Sequence, residues 1–310
     1  MTDRSQASVE LAAASRWYGN VVAVNDVSFR LEGGVTGLLG PNGAGKSTIL
    51  HMIAGFLAPS SGSVTVGGQP AWRRPEVYRR IGLVPEREAV YPFLTGLEFV
   101  RANALLQGLS RTDAEAAAAT AIALVELQDA QDRAIGTYSK GMRQRAKVAA
   151  ALVHEPPVLL LDEPFNGMDP RQRLHMMGLL RRMAAQGRTI LFSSHILEEV
   201  ERVAERVLVI VAGRLAASGD FREIRRLMTD RPHTFTVRSS DDRVLGAALM
   251  REPTIGGVEL SDGLLTVRTA DFGAFSRSIG SVARRSGVSL FELLPTDESL
   301  ESVFSYLVRR

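Results

Sequence analysis

The stretch Gly40-Pro41-Asn42-Gly43-Ala44-Gly45-Lys46-Ser47-Thr48 constrains this chain more than any other. Glycine, four residues, then Gly-Lys-Ser demands a strand running in, a tight loop and a helix running out. The flanks comply: 34–39 reads as a short apolar strand and 47–56 as a helix. Glycines admit positive φ, so several backbone N–H groups can converge on one anion, and the helix N-terminus adds partial positive charge. The pattern is that of a phosphate cradle. Gly40, Asn42, Gly43, Gly45 and Thr48 build it, Lys46 reaches the β/γ-phosphates of a nucleotide and the Ser47 hydroxyl ligates Mg²⁺. A chance match is expected roughly three times in a thousand chains of this composition. Lysine occurs only at 46, 140 and 147, while all other basic charge is arginine, so Lys46 is not background usage. A point charge on a flexible stem also differs chemically from a planar fork.

A second signal lies at Val158-Leu159-Leu160-Leu161-Asp162-Glu163. A continuous apolar run reads as a strand buried on both faces, and ligands of open α/β sheets bind beyond the carboxyl ends of such strands. Asp162 would hold Mg²⁺ through its water shell, and Glu163 would orient or deprotonate an attacking water. Acids after a strand are often only loop or cap residues; beside a phosphate loop the catalytic reading is the stronger. His195, after a strand at 189–193, either positions water and γ-phosphate or is a solvated loop residue. Tyr18, in Trp17-Tyr18-Gly19, either stacks on an adenine or packs in a core. Ser139 and Gly141 open a helix and offer donors to an anion, alone a weak signal.

Around these motifs the pattern predicts strands at 9–14, 27–31, 62–68 and 81–84, then an almost wholly helical stretch over about 95–150 with helices at 97–109, 112–127 and 139–153. Helix starts at Asp169-Pro170, a closing hairpin over 206–218, and a short helix at 221–228 follow. Thr229-Asp230-Arg231-Pro232 reads as a linker, which gives a first domain over 1–228 and a second over 233–310. The second repeats β-α-β-β-α-β, the order of a ferredoxin-like α+β domain, and ends in a helix with Leu300, Val303, Phe304 and Leu307 on one face. It carries no chemical motif. A net charge of +3 and the lack of basic stretches interleaved with aromatics speak against a nucleic-acid partner, and zero cysteines suit a reducing compartment. No signal-peptide core opens the chain, and no apolar run reaches the roughly 20 residues of a membrane span.

Together these pieces resemble the ATPase subunit of an ATP-binding cassette (ABC) transporter, from about residue 7 to the end. In that family's terms Gly40–Thr48 is similar to the Walker A loop, 159–163 to the Walker B strand with its catalytic glutamate, Ser139–Met142 to the signature motif, and Asn166-Gly167-Met168-Asp169 to the D-loop. His195 then matches the switch histidine and Tyr18 the adenine-stacking aromatic. The resemblance implies an α/β P-loop NTPase fold of ABC type with a helical subdomain, ATP and Mg²⁺ at the site, and ATP hydrolysis by Glu163 and His195. It implies a head-to-tail homodimer in the ATP-bound state, each ATP clamped between Lys46 and Ser47 of one subunit and Ser139 and Gly141 of the other, with Asp169 nearby. It also implies a separately encoded membrane-spanning permease, and so a peripheral place on the cytoplasmic face of the membrane. The C-terminal part is similar to the tails of bacterial exporter ATPases that handle drugs, antibiotics, lipids or polysaccharides. Two departures stand out. Lys140 and Met142 replace a glycine and a glutamine of the signature, and Glu86 stands where the family carries its switch glutamine, beside Mg²⁺ and the γ-phosphate. A rival soluble ABC protein working on DNA, RNA or the ribosome would carry two cassettes in one chain or a long coiled-coil insertion, and a sensing module without turnover would lose Glu163 or His195; this sequence has one Walker A loop and keeps both residues.

Overall fold

The apolar runs on either side of the phosphate loop become neighbouring strands of one sheet. The computed structural model describes residues 7–220, 232–261 and 263–296, and the chain divides into two units, Met1–Gly219 and Asp220–Arg310. The expected helix at 221–228, the boundary at 228, residues 229–231 of the linker and the final helix lie outside the described residues.

In the first unit, β1 (Ser8–Tyr18) and β2 (Val21–Glu32) form a long antiparallel hairpin, joined through β1 to β4 (Ser61–Val66) and then β5 (Gln69–Pro70). A second sheet has the order β10-β9-β3-β8-β7-β6, from β3 (Gly34–Leu39), β6 (Ile81–Val84), β7 (Val158–Asp162), β8 (Thr189–Ser193), β9 (Arg206–Val211) and β10 (Arg214–Gly219). Five of its strands run parallel, and only β10 pairs antiparallel. Parallel strands covered on both faces read as unbroken apolar runs, and every residue of β7 and β8 is buried. Helix α1 (Lys46–Ile53) lies between the two sheets: Ile49, Leu50, Met52 and Ile53 share one core with Val9 and Leu11 of β1, Val64 and Val66 of β4, and Leu160 of β7. Burying four such side chains stabilises by about 1.5–3 kcal/mol each. The loop before α1 is therefore anchored by its own helix.

The helical insert lies between β6 and β7. After α2 (Pro75–Tyr78), the insert consists of α3 (Gly96–Leu106), α4 (Arg111–Leu124) and α5 (Lys140–Leu152). A capping box starts α3, with Thr95 Oγ1 accepting from Glu98 N–H and the Glu98 carboxylate accepting from Thr95 N–H. Ser139 caps α5 by accepting from the Met142 N–H at 3.2 Å. Buried Arg145 fixes α5 to the end of α4 by donating to the carbonyls of Val125 and Glu126. The last layer holds α6 (Pro170–Ala185), with Pro170 at its first position, and α7 (Leu197–Val203).

The second unit holds β11 (His233–Ser239), α8 (Asp242–Leu249), β12 (Ile255–Ser261), β13 (Leu264–Thr269), α9 (Phe272–Arg285) and β14 (Leu290–Pro295). Its sheet is antiparallel in the order β12-β13-β11-β14, so the first and third strands are central. That is the ferredoxin-like arrangement, closed by a core of Phe235, Val237, Leu245, Leu265, Phe275 and Ile279.

Candidate functional site

Because β3, β8 and β7 are adjacent and parallel, the loops that follow them emerge at one edge of the sheet. There a cavity of about 400 Å³ opens, within the range of small-molecule sites. Asn42 to Thr48 line it after β3, Asp162 and Glu163 after β7, and His195 after β8; Glu86, after β6, and Ala23 of β2 complete the wall. Residues separated by more than a hundred positions thus converge.

The loop geometry follows from its glycines. Gly45, the N-cap of α1, has φ 104°, and a β-carbon there would lie 2.4 Å from the Ala23 carbonyl. Gly43 has φ 79° with no atom within 4 Å of where a β-carbon would be, so its backbone faces open space. No side chain caps α1 and no acid sits in its first turn, which leaves the positive end of the helix directed to the cavity. Lys46 is buried and donates to the carbonyls of Gly40 at 2.7 Å and Pro41 at 3.2 Å. Burial pushes its pKa down, while the carboxylates of Glu163, Asp162 and Glu86 pull it up. The surrounding acids thus favour the charged form that an anion needs.

The two acids are ordered by the strand beside them. Successive side chains of a strand point to opposite faces, yet both Asp162 and Glu163 line the cavity. Glu163 achieves this at φ 51°, a left-handed conformation uncommon for residues with a β-carbon. Its N–H donates to Ser193 Oγ at 2.9 Å, and its carbonyl accepts from Gln144 Nε2 at 3.4 Å and from the Asn166 N–H at 3.2 Å. The Ser193 hydroxyl in turn donates to Asp162 Oδ1 at 2.5 Å. Glu163 Oε2 lies 2.9 Å from Nδ1 of the exposed His195. Burial pushes the Glu163 carboxyl above the usual carboxylate range, against the opposing pull of His195 and Lys46. Such a carboxylate is a stronger base than an exposed one.

Sequence reasoning missed what holds Glu86. Lys147, buried on α5, donates to the carbonyls of Pro85 at 2.7 Å, Arg87 at 3.0 Å and Glu86 at 3.4 Å. One turn earlier on the same face, Arg143 Nε meets Glu88 Oε1 at 3.1 Å. The sequence offered only that Lys147 is one of three lysines in an arginine-rich chain.

Other expected site residues lie outside this cavity. Gly40 reaches it only through Lys46, and a β-carbon there would meet the Ile210 carbonyl at 2.3 Å. Tyr18, exposed near the end of the first hairpin, has the Arg16 guanidinium 4.9 Å from its ring centre. Ser139 and Gly141 open α5, where Lys140 Nζ donates to Asn166 Oδ1 at 2.9 Å, and a β-carbon on Gly141 would lie 2.8 Å from the Gly167 carbonyl. Asp169 caps α6 by accepting from the Gln172 N–H at 2.8 Å. The segments 139–141 and 166–169 therefore touch each other within one chain. The Lys140 stem lies where a side chain at Gly167 would stand, and Gly167 has φ 77°. Among the described residues no group of three or more His, Asp or Glu could hold a metal by itself, and no helix is long and apolar enough to cross a membrane.

The chain is similar to known proteins over most of its length. Residues 24–166 match the family model described as ABC transporter. The chain is 33% identical over 300 residues to the Linearmycin resistance ATP-binding protein LnrL of Bacillus subtilis (strain 168), covering 94% of this chain and 96% of that protein. It is 38% identical over 217 residues to the Nod factor export ATP-binding protein I of Burkholderia orbicola (strain AU 1054), covering 69% and 71%. The solved structure of an ATP-binding subunit of an ABC transporter superposes with a TM-score of 0.65 at 31% identity, over 70% of this chain and 92% of that one.

Proposed function

The chain belongs to the ABC transporter family as an ATP-binding and ATP-hydrolysing subunit, and from that premise we propose that it powers export of a drug, antibiotic, lipid or polysaccharide through a separate membrane-spanning partner. Two relatives support this direction of transport: one is named for resistance to linearmycin and the other for Nod factor export. The protein then works peripherally at the cytoplasmic face of the membrane, bound to its permease.

At the site, the amides of Gly43 and Gly45, the start of α1 and the Lys46 ammonium receive the β- and γ-phosphates. Tyr18 stacks on the adenine, the Arg16 cation covering its other face. A Mg²⁺ fits the donor set of one hydroxyl, Ser47, and one buried carboxylate, Asp162, with Glu86 facing the same space, because this ion is ordinarily held by one or two carboxylates plus phosphate oxygens. When bound it neutralises phosphate charge and helps draw electrons toward the leaving oxygen. Glu163 accepts a proton from the attacking water, and His195, against Glu163 and open to solvent, contacts the γ-phosphate. Ser139 and Gly141 complete the site from a second copy of the chain, Asp169 lying beside them, and residues 233–310 form an accessory domain outside the chemistry.

One observation carries the reading: a single cavity holds a glycine-shaped loop with its lysine and, with it, an acid pair, buried Asp162 and part-buried Glu163, whose second member contacts a histidine. Glu163→Gln tests it. ATP binding should survive, turnover should fall by about 10² to 10⁴, and ATP with Mg²⁺ should convert the protein to a dimer on a sizing column. Full turnover in the mutant would remove Glu163 from its role, and a monomer with ATP bound at high concentration would count against the paired site.

A further inference from the structure

We infer that Ser193 is a positioning residue of the ATPase site: its buried hydroxyl holds Asp162 and Glu163 in the one arrangement in which both carboxylates face the same cavity. The inference rests on the ATPase reading above and adds a residue to it. In the parallel pairing of β7 with β8, Ser193 is the register partner of Asp162, so both side chains project from the same face of the sheet. Directionality is fixed by chemistry, since the Glu163 N–H can only donate and an ionised carboxylate can only accept. The hydroxyl therefore receives from Glu163 N at 2.9 Å and gives to Asp162 Oδ1 at 2.5 Å, with none of its surface exposed.

Two consequences follow. One Asp162 oxygen is committed to Ser193, which fixes the rotamer and leaves the other oxygen to the cavity. The left-handed turn at Glu163, costly for a residue with a β-carbon, is held by the bond to its N–H. Without that turn the carboxylate of Glu163 would follow strand alternation to the opposite face. Ser194, the next residue, shows the same alternation: its hydroxyl points away from the acids and donates to the buried carboxylate of Glu199 at 2.7 Å. Adjacent serines thus have separate duties.

The test compares full-length wild type with Ser193→Ala and Ser193→Thr. Mn²⁺ binding in the presence of ADP is followed by electron paramagnetic resonance, ADP binding in EDTA by calorimetry, and turnover by phosphate release. Loss of the hydroxyl should weaken Mn²⁺ binding about tenfold and lower kcat at least as much, while metal-free ADP affinity stays within about twofold, because the loop around Lys46 is untouched. Ser193→Thr, which keeps the hydroxyl, should recover most of both losses. A folded alanine variant with wild-type Mn²⁺ affinity and turnover overturns the inference, as does an alanine variant that fails to fold, since the hydroxyl would then serve the fold and not the site. If the wild type itself shows no Mn²⁺-dependent nucleotide binding, the ATPase reading fails first, and the two failures are told apart.

Discussion

Lys147 offers the sharpest physical test, because the cost of burying it can be worked out. Its ammonium touches three carbonyls and is almost wholly removed from water, and burial lowers its pKa from 10.5 to about 8. The carboxylates of Glu88, Asp162 and Glu86 oppose that drop, and Lys140 adds to it. At about 1.4 kcal/mol per tenfold change in proton affinity, the drop corresponds to roughly 3 kcal/mol. The sign is fixed by linkage: between about pH 8 and 10.5 the unfolded chain holds a proton that the folded chain has released, so stability attributable to Lys147 rises with pH across that window. At neutral pH the charged lysine is retained against its desolvation cost, in exchange for anchoring the Glu86 loop. With only three lysines in the chain, lysine labelled with ¹³C at Cε gives three signals, and Lys147→Met assigns one of them. That signal should titrate near pH 8. The unfolding free energy of wild type minus that of Lys147→Met should climb by roughly 3 kcal/mol from pH 8 to 10.5. A Lys147 signal that titrates only above about pH 10, or a flat difference in stability, refutes the reasoning.

Lys46→Ala should abolish ATP binding or reduce it severely in a folded protein, as read by fluorescence of a labelled nucleotide; wild-type affinity would exclude the loop as the phosphate site. Glu86→Gln should change MgATP affinity little, because metal attraction and phosphate repulsion act on the carboxylate together, yet strengthen metal-free ATP binding several-fold. Titrations with Mg²⁺ and with EDTA on both proteins measure this, and an equal shift in the two conditions would put Glu86 away from the metal. Ending the chain at Asp230 should leave a folded cassette with unchanged ATP affinity by calorimetry, since every residue lining the cavity lies before it.

The strands that carry the site were legible to the residue, and for one reason: β3, β6, β7 and β8 are buried almost throughout, so each appears as a short, mostly apolar run without alternation. The hairpin was harder. The expected strand at 9–14 extends to Tyr18, because β1 and β2 continue to pair beyond the core where Trp17, Val21 and Val22 are exposed, and because irregular register around Ala13 and Asp26, both at positive φ, breaks the alternation that sequence reading follows. Helix α7 was not anticipated: with seven residues, three of them glutamate, it shows too little apolar periodicity, and it is held from outside by Val200 and Val203. α2 was hidden for the same reason inside a basic stretch. The chemical motifs were readable because each needs particular residue types at fixed spacing. Ser193 and Lys147 were not, since their roles come from strand register and from a helix packing on a loop some 60 positions away.

Within one chain the structure contains two helix starts suited to anions, and they do not share a cavity. Gly45 opens α1 beside Lys46, while Ser139 opens α5 in contact with the 166–169 segment. α5 also bears Arg143 and Lys147, which grip residues 85–88, and Gln144, which donates to the Glu163 carbonyl. One rigid helix therefore touches the Glu86 loop, the acid turn and the 166–169 segment while its own N-terminus points elsewhere. A force on that N-terminus, such as a γ-phosphate held by a second copy, would bear on the groups that position water and metal in the first. In the proposed pair, these short, directional contacts would make each of two sites sensitive to whether the other is filled. Cutting one of them separates the effects: Lys140→Met removes the bond to Asn166 while keeping the Ser139 hydroxyl and the backbone donors of the α5 start, and it lies outside the cavity around Lys46, so it should leave ATP affinity of the isolated chain unchanged. In the ATP-held pair of the Glu163→Gln background, the same substitution should weaken dimerisation. Unchanged dimerisation in that background would show that the link from α5 to the 166–169 segment carries no force.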